Sequence, residues 1–136
     1  MRACDGCTLC CKVIGVRGID KPRGQWCNHC DIGKGCTIHS ISPMECKTYA
    51  CRFQVDHELD ENWRPSNCGL VINIDRRRVV VNVDTDQPGA WRKEPYYSTF
   101  KRWSRTALPG WPVYISIGDE VIAVFPDRDV TIVPPA

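Results

Sequence analysis

The sequence predicts an α+β fold in two parts. Residues 1–60 form an irregular cysteine-rich module, and residues 61–136 form a small antiparallel sheet with one packed helix. Two observations carry this prediction. Nine of the ten cysteines lie between Cys4 and Cys51, in a stretch with little hydrophobic periodicity, and the rest of the chain alternates between short apolar runs and turn residues.

Hydrophobic alternation predicts the strands of the second part. Runs rich in valine and isoleucine are bounded by glycine, asparagine and aspartate, which is the pattern of short strands separated by turns. Between two such runs, Gly118 and Asp119 are typical of a tight hairpin. The predicted strands cover residues 69–74, 79–83, 113–117, 121–125 and 129–133.

Aromatic residues spaced three and four apart predict one helix in the second part. Tyr96, Phe100 and Trp103 recur at steps of four and three, so we expect a helix from about residue 93 to residue 105. Core packing against the sheet explains these rings more simply than a binding surface does.

A second helix start lies among the cysteines. Ser42 is a good N-cap, Pro43 suits the first helical position, and Glu45 follows at the third. We therefore expect a short helix over residues 43–49, with Cys46 in its first turn. The helix dipole favours a thiolate at that position.

Composition and charge restrict the function classes. The chain is 43% hydrophobic and 25% charged, as in globular proteins, and a net charge of only +2 argues against binding nucleic acid or other polyanions. No apolar run approaches the length of a membrane span. Because Met1 and Arg2 lead directly into cysteines and not into an apolar leader, we expect a cytoplasmic protein without a membrane partner. The sequence identifies no protein partner.

The cysteine count admits two explanations, disulfides or metal. Five disulfides would need an oxidising compartment, to which nothing in the sequence directs the chain. A bridge between the adjacent Cys10 and Cys11 would also be strained. A segment without an apolar core needs another source of stability, and bound metal supplies it in small cysteine-rich modules. We therefore expect metal.

The first cysteine motif suggests more than one metal. Cys4, Cys7 and Cys10 follow at intervals of three, and Cys11 comes next. Two cysteines separated by two residues can wrap one metal, and a structural zinc takes four such ligands. Since adjacent side chains diverge, Cys10 and Cys11 either serve two different metals or include a thiolate that bridges them.

Nine thiolates are available as ligands. Eight of them would fill two tetrahedral sites, and nine would fill a three-metal cluster with bridging thiolates; the sequence leaves both arrangements open. We expect Cys68, which stands apart, to be a buried apolar residue instead. The candidate ligands are Cys4, Cys7, Cys10, Cys11, Cys27, Cys30, Cys36, Cys46 and Cys51.

The order of these motifs resembles a known family. The run C-x2-C-x2-C-C, a later cysteine, G-C-T-I-H, P-x2-C and Y-x-C is similar to the YkgJ-type family, whose members are described as zinc- or iron-chelating cysteine-cluster proteins. The resemblance covers roughly residues 4–53, and Cys30 is an addition to the common pattern. It implies that the metal-binding positions are Cys4, Cys7, Cys10, Cys11, Cys27, Cys36, Cys46 and Cys51.

Zinc and iron are the two candidate metals. The spacing of Cys4, Cys7 and Cys10 also begins the bacterial ferredoxin run, but that run continues with three residues and a Cys-Pro pair. Here Cys11 follows at once, and Lys47 follows Cys46, so the spacing favours zinc (Zn²⁺) over an iron–sulfur cluster.

These observations support a metal-binding protein with a structural, storage or delivery role. Two alternatives stay open: an iron–sulfur redox protein or oxidoreductase, and a zinc-stabilised interaction module. No arrangement in the sequence demands an enzyme, because a catalytic zinc keeps an open position and usually has mixed ligands.

Overall fold

The computed structural model describes residues 3–47, 49–75, 77–106 and 111–135, and it has the predicted α+β architecture. The described helices are α1 (Cys10–Val13), α2 (Met44–Lys47), α3 (Arg52–Val55), α4 (Pro65–Cys68) and α5 (Tyr96–Thr106), with 3-10 turns at Arg17–Ile19, His39–Ile41, Glu61–Trp63 and Ala90–Arg92. The strands are β1 (Cys30–Asp31), β2 (Gly35–Cys36), β3 (Leu70–Asp75), β4 (Arg78–Val83), β5 (Val113–Ile117), β6 (Glu120–Val124) and β7 (Asp129–Val133).

The main sheet has the strand order β3-β4-β5-β6-β7 and is antiparallel except at one junction. Strands β4 and β5 run parallel, with Val81 opposite Ile115. The prediction of a wholly antiparallel sheet is wrong at this junction. The connection between these two strands contains α5, and a crossover of that length returns the chain in its original direction.

The predicted elements agree with the observed ones to within a few residues. Strands β5 and β7 have the predicted bounds, β4 differs by one residue at its start, and β3 and β6 differ by one residue at both ends. Helix α5 begins at Tyr96 and not at residue 93, because Glu94 precedes Pro95 and a residue before proline disfavours the helical region. Helix α2 ends at Lys47, and residue 48 lies outside the described part of the chain.

Tyr96, Phe100 and Trp103 pack in or against the core, as expected, whereas Trp111 is 39% exposed. Phe100 and Trp91 are 0% and 1% exposed. The Trp63 ring lies 5.8 Å from that of Trp103 and meets Tyr96 edge-on at 4.8 Å. These contacts pack α5 against the 3-10 turn at Glu61–Trp63.

Both predicted modules contribute to one apolar core. Leu9, Val13 and Phe53 are buried in the same cluster as Val81 and Phe100. The expectation that the first segment makes no apolar core is therefore wrong. Its apolar residues are scattered through irregular loops, so they leave no periodic pattern in the sequence. The domain boundary near residue 60 stays a prediction.

Alternation along β4 gives the sheet two faces. Val81 and Val83 belong to the core, whereas Asn82 lies on the opposite face, next to the segment of residues 14–23. On that face the Arg23 guanidinium donates to Ser116 Oγ at 3.3 Å. Within the described residues, no helix is long and apolar enough to cross a membrane.

Candidate metal centre

The first cysteine loop is a tight turn. The Cys7 N–H donates to the Cys4 carbonyl at 2.9 Å, and both Asp5 and Gly6 have positive φ, at 48° and 80°. A Cβ at residue 6 would lie 2.6 Å from the Gly33 carbonyl oxygen, so only glycine fits this close approach to the second loop.

The second cysteine loop packs directly on the first. Its β1–β2 ribbon pairs Cys30 with Cys36. The Cys27 N–H donates to the Cys11 carbonyl at 3.0 Å, and the Gly33 N–H donates to Thr8 Oγ1 at 3.0 Å. These bonds bring two loops that are distant in sequence into one structural unit.

An amide-to-sulfur contact lies within this second loop. The His29 N–H approaches Cys27 Sγ at 3.4 Å, so this backbone amide is turned toward the sulfur. His29 itself is half-buried and lines a cleft of about 110 Å³ together with Cys27. Histidine is also a common metal ligand, but the side chain of the second histidine, His39, lies outside the described part of the structure.

The third segment supplies Cys46 from α2 and Cys51 from the start of α3. Cys51 is the N-cap residue, and its N–H donates to Gln54 Oε1 at 3.2 Å. The Gln54 amide nitrogen in turn donates to Cys4 Sγ at 3.1 Å. This glutamine therefore joins the third segment to the first loop.

Cys11 and Cys30 have neighbouring thiols although they lie in different loops. The pKa of Cys11 is raised, first by a hydrogen bond with the Cys10 thiol and then by burial. Burial and the nearby Cys11 raise the pKa of the Cys30 thiol to about 12. Thiols with such pKa values stay protonated at neutral pH until a cation replaces the proton.

Cys46 extends this set to the third segment. Burial raises the pKa of its thiol, and the thiols of Cys11, Cys36 and Cys27 raise it further. Three chain segments therefore meet at one place. We name this set the first thiol group: Cys11, Cys27, Cys30, Cys36 and Cys46.

A second set surrounds Cys4. Burial raises the pKa of the Cys4 thiol, followed by the nearby thiols of Cys7 and Cys51. Cys10 and Cys51 both lie near the Tyr49 hydroxyl, since the thiols of both residues raise its pKa. We name Cys4, Cys7, Cys10 and Cys51 the second thiol group. The two groups adjoin at Cys10 and Cys11, whose thiols share a hydrogen bond. The groups also overlap, since the Cys11 thiol raises the pKa of Cys4, and Cys10 lies near Lys21 as Cys11, Cys27 and Cys30 do.

Cys68 lies at the edge of the second thiol group and differs from its members. It is 6% exposed and belongs to the apolar core, and its thiol contacts the Leu70 carbonyl at 3.6 Å. Burial raises its pKa to about 11, with smaller effects from Cys7 and Cys51. That Cys68 is not a ligand stays a prediction.

The Tyr49 hydroxyl belongs to this site although the sequence analysis did not identify it. Among the described residues, its oxygen is the one buried side-chain nitrogen or oxygen without a hydrogen-bond partner. Burial raises its pKa, and the thiols of Cys10 and Cys51 add to that effect. Its position two residues before Cys51 was the one sign in the sequence that Tyr49 lies near the cysteines.

A buried lysine supports the helix that carries Cys10 and Cys11. The Lys21 ammonium donates to the carbonyls of Lys12 and Ile14, at the C-terminal end of α1, where positive charge is favourable. Burial lowers the pKa of Lys21, and the thiols around it oppose that effect.

The thiols are neighbours without forming a closed ligand set. Among the described residues, no three or more His, Cys, Asp or Glu side chains are arranged so that they could hold a metal ion as they stand. All ten cysteines are free thiols. The donor chemistry is therefore that of soft sulfur ligands, which suits zinc, copper(I) or iron–sulfur clusters.

Comparison with known proteins adds no family to this description. The chain matches no protein-family model, no curated protein and no solved structure. The resemblance to the YkgJ-type family therefore stays a prediction. Fold and site together define a cysteine-rich α+β protein in which thiols from three chain segments are neighbours.

Proposed function

We propose that the chain is a metal-binding protein that holds two or three zinc ions through cysteine thiolates, with a structural, storage or delivery role. The nine candidate ligands come from three segments: a backbone hydrogen bond joins the first two loops, and the Gln54 side chain joins the third segment to Cys4. A reducing compartment such as the cytoplasm keeps such thiols free for metal.

The neighbours of Cys10 and Cys11 support a division between metals. Cys11 lies beside Cys30 and Cys46, and Cys10 lies beside Tyr49, while the two thiols also share a hydrogen bond. Two thiols that contact each other and also reach different neighbours suit two adjacent metals, either with one ligand each or with a bridging thiolate.

The observation that carries the proposal is the Tyr49 hydroxyl. A buried hydroxyl without a partner costs about 1–3 kcal/mol. A metal-bound thiolate of Cys10 or Cys51 would accept a hydrogen bond from this hydroxyl and remove that penalty, because a charged sulfur is a better acceptor than a protonated thiol. The hydroxyl therefore suits a metal-loaded state.

The raised pKa values of the thiols also support metal binding. Burial and mutual proximity disfavour several thiolates together in the metal-free chain. A divalent cation reverses this balance, so metal binding should release protons and contribute to the free energy of folding.

Elemental analysis of protein purified anaerobically, without added metal, tests this function. We expect two or three equivalents of zinc and a colourless protein. Iron with absorbance in the visible range would instead identify the iron–sulfur alternative. Metal content near zero, together with unchanged folding in the presence of a chelator, would refute metal binding altogether.

A further inference from the structure

A polar cleft of about 870 Å³ lies apart from the cysteines. One wall is the segment of residues 14–23, and the floor is made by Asn73 of β3 and Asn82 of β4. The cleft falls within the size range of small-molecule sites in proteins, about 300–1,000 Å³.

The wall is held in place by a closed backbone turn. Val16 and Lys21 form an antiparallel bridge with two N–H···O bonds of 2.9 Å. Asp20 adopts the left-handed conformation, and its N–H donates to the Arg17 carbonyl at 3.1 Å. Because this turn reverses the chain, Arg17 and Arg23 line the same opening.

The two guanidinium groups are available to a ligand. Arg23 packs its stem against Gly15, where an added Cβ would lie 3.2 Å from Arg23 Cγ. One of its nitrogens donates to Ser116 Oγ at 3.3 Å, and this contact orients the group and leaves its other donors open. Arg17 is exposed and has no partner among the described residues.

The floor carries amides where a sheet normally carries β-branched side chains. The Asn82 amide donates to Asn73 Oδ1 at 2.7 Å and to the Val71 carbonyl at 3.2 Å. Asn82 is thus oriented and 6% exposed. The amide nitrogen of the half-buried Asn73 donates no hydrogen bond within the described residues, so it is free to donate into the cleft.

We propose that this cleft binds a small metabolite that carries an oxyanion, a carboxylate or a phosphate group. Guanidinium groups present paired donors that match the two oxygens of such a group, and amide donors complete its hydrogen bonds. Arg17, Lys21, Arg23 and Asp20 together give the lining a net charge of +2.

Asp20 restricts the ligand to a compact one. Its exposed carboxylate lies on the rim of the cleft and repels a chain of phosphates that would run across it. A nucleic-acid backbone is therefore disfavoured, and a single oxyanion placed between Arg17 and Arg23 is favoured.

An NMR titration of the full-length chain as purified tests the proposal. The probes are inorganic phosphate, AMP and succinate, each compared with sodium chloride at the same ionic strength. The reported signals are the side-chain amide of Asn73 and the guanidinium N–H groups of Arg17 and Arg23. We expect saturable shifts of these signals with at least one probe and none with chloride.

Charge-matched variants separate the cleft from general electrostatics. The double variant R17Q/R23Q should weaken binding by about tenfold or more, whereas R102Q/R105Q, which removes two exposed arginines from α5, should leave it within about twofold. Each single variant, R17Q or R23Q, should give an intermediate loss.

The probe that binds identifies the ligand class. Saturation by phosphate or AMP indicates a phosphorylated ligand, and saturation by succinate indicates a carboxylate. The proposal fails if no probe gives saturable shifts, or if R17Q/R23Q titrates like the unaltered chain. Neither result depends on whether the cysteines bind zinc.

Discussion

Lys12 and Asp84 form a buried ion pair between residues that are 72 positions apart in the chain. Lys12 follows Cys11 in α1, and Asp84 follows the last residue of β4. Burial would raise the pKa of Asp84, but hydrogen bonds from Lys12 and from the Asp86 backbone lower it on balance. The pair therefore fixes the cysteine-bearing helix to the sheet.

Removing the charge of Asp84 should destabilise the fold. In Asp84→Asn the Lys12 ammonium, whose side chain is 5% exposed, loses its buried counter-charge, and we expect a loss of about 3 kcal/mol in the free energy of unfolding. Urea denaturation measures this loss.

Asp86→Asn is the matched control for that variant. Asp86 also accepts from Lys12, at 2.7 Å, but its side chain is 83% exposed, so we expect a change of less than about 1 kcal/mol. Equal losses in the two variants would contradict the assigned importance of the buried pair. Replacing both partners, in K12M/D84L, should recover part of the stability.

Alkaline pH should weaken the attachment of α5 to β7. The Lys101 ammonium donates to Asp129 at 2.8 Å, and the Tyr97 hydroxyl donates to the same carboxylate at 2.7 Å. Burial would lower the pKa of Lys101, but Asp129 raises it on balance. The contribution of Lys101 is therefore complete below its ordinary pKa of 10.5 and is lost as pH rises through the raised value.

Ionisation of Tyr97 should also lower the stability at alkaline pH. The hydrogen bond to Asp129, followed by burial, raises its pKa, so the folded state keeps a proton that the unfolded chain releases above pH 10. We expect the free energy of unfolding to fall as pH rises beyond about pH 10, and to fall less in Asp129→Asn. Urea denaturation at a series of pH values around pH 10 measures this loss. An equal pH dependence of the free energy of unfolding in both chains would contradict the role assigned to Asp129.

The strands were predictable because their signals are local. The Gly118 turn and the alternation on both sides of it determine β5 without reference to the rest of the chain. The parallel pairing of β4 with β5 was not predictable in that way, because strand direction depends on how α5 crosses between them. Likewise, the ion pair between Lys12 and Asp84 exists only after the sheet has formed.

The site was predictable in its members and less so in its arrangement. The adjacency of Cys10 and Cys11 indicated either two different metals or a bridging thiolate, and this stays a prediction: the two thiols share a hydrogen bond and differ in their further neighbours. The sequence did not indicate which distant cysteines would lie beside each one. It also gave no sign that the Tyr49 hydroxyl lacks a partner, since that is a property of the packed structure.

Replacing Tyr49 should have opposite effects with and without metal. Tyr49→Phe removes the unpaired hydroxyl, so we expect the metal-free chain to be unchanged or more stable. In the metal-loaded chain the hydroxyl would donate to a thiolate, and its loss should weaken zinc binding by about five- to tenfold. Competition with a chelator measures this affinity.

Tyr96→Phe serves as the control for Tyr49→Phe. The Tyr96 hydroxyl donates to the Asn62 carbonyl at 2.7 Å, so its removal should lower stability without a change in zinc affinity. An equal loss of affinity in both variants would show that Tyr49 has no particular relation to the metal.

Cys68 should be dispensable for metal. Its thiol is buried in the apolar core, so Cys68→Ala should lower stability by about 1 kcal/mol and leave the zinc content unchanged. Cys7→Ala, by contrast, should reduce the zinc content. Native mass spectrometry of both variants gives the stoichiometry, and a comparable loss of zinc in Cys68→Ala would place Cys68 among the ligands.

The first cysteine loop should hold metal weakly on its own. In the folded chain, Cys11 lies beside Cys30 and Cys46, and Cys4 lies beside Cys51, so each thiol group draws on distant segments. A peptide of residues 1–20 retains four cysteines in one tight turn but none of these neighbours. Its four sulfurs include an adjacent pair, which cannot converge easily on one tetrahedron. We therefore expect the peptide to bind zinc more weakly than the full chain in a titration against a competing chelator. Equal affinity would show that the loop is a self-contained site, and the sharing of metal between segments would then be wrong.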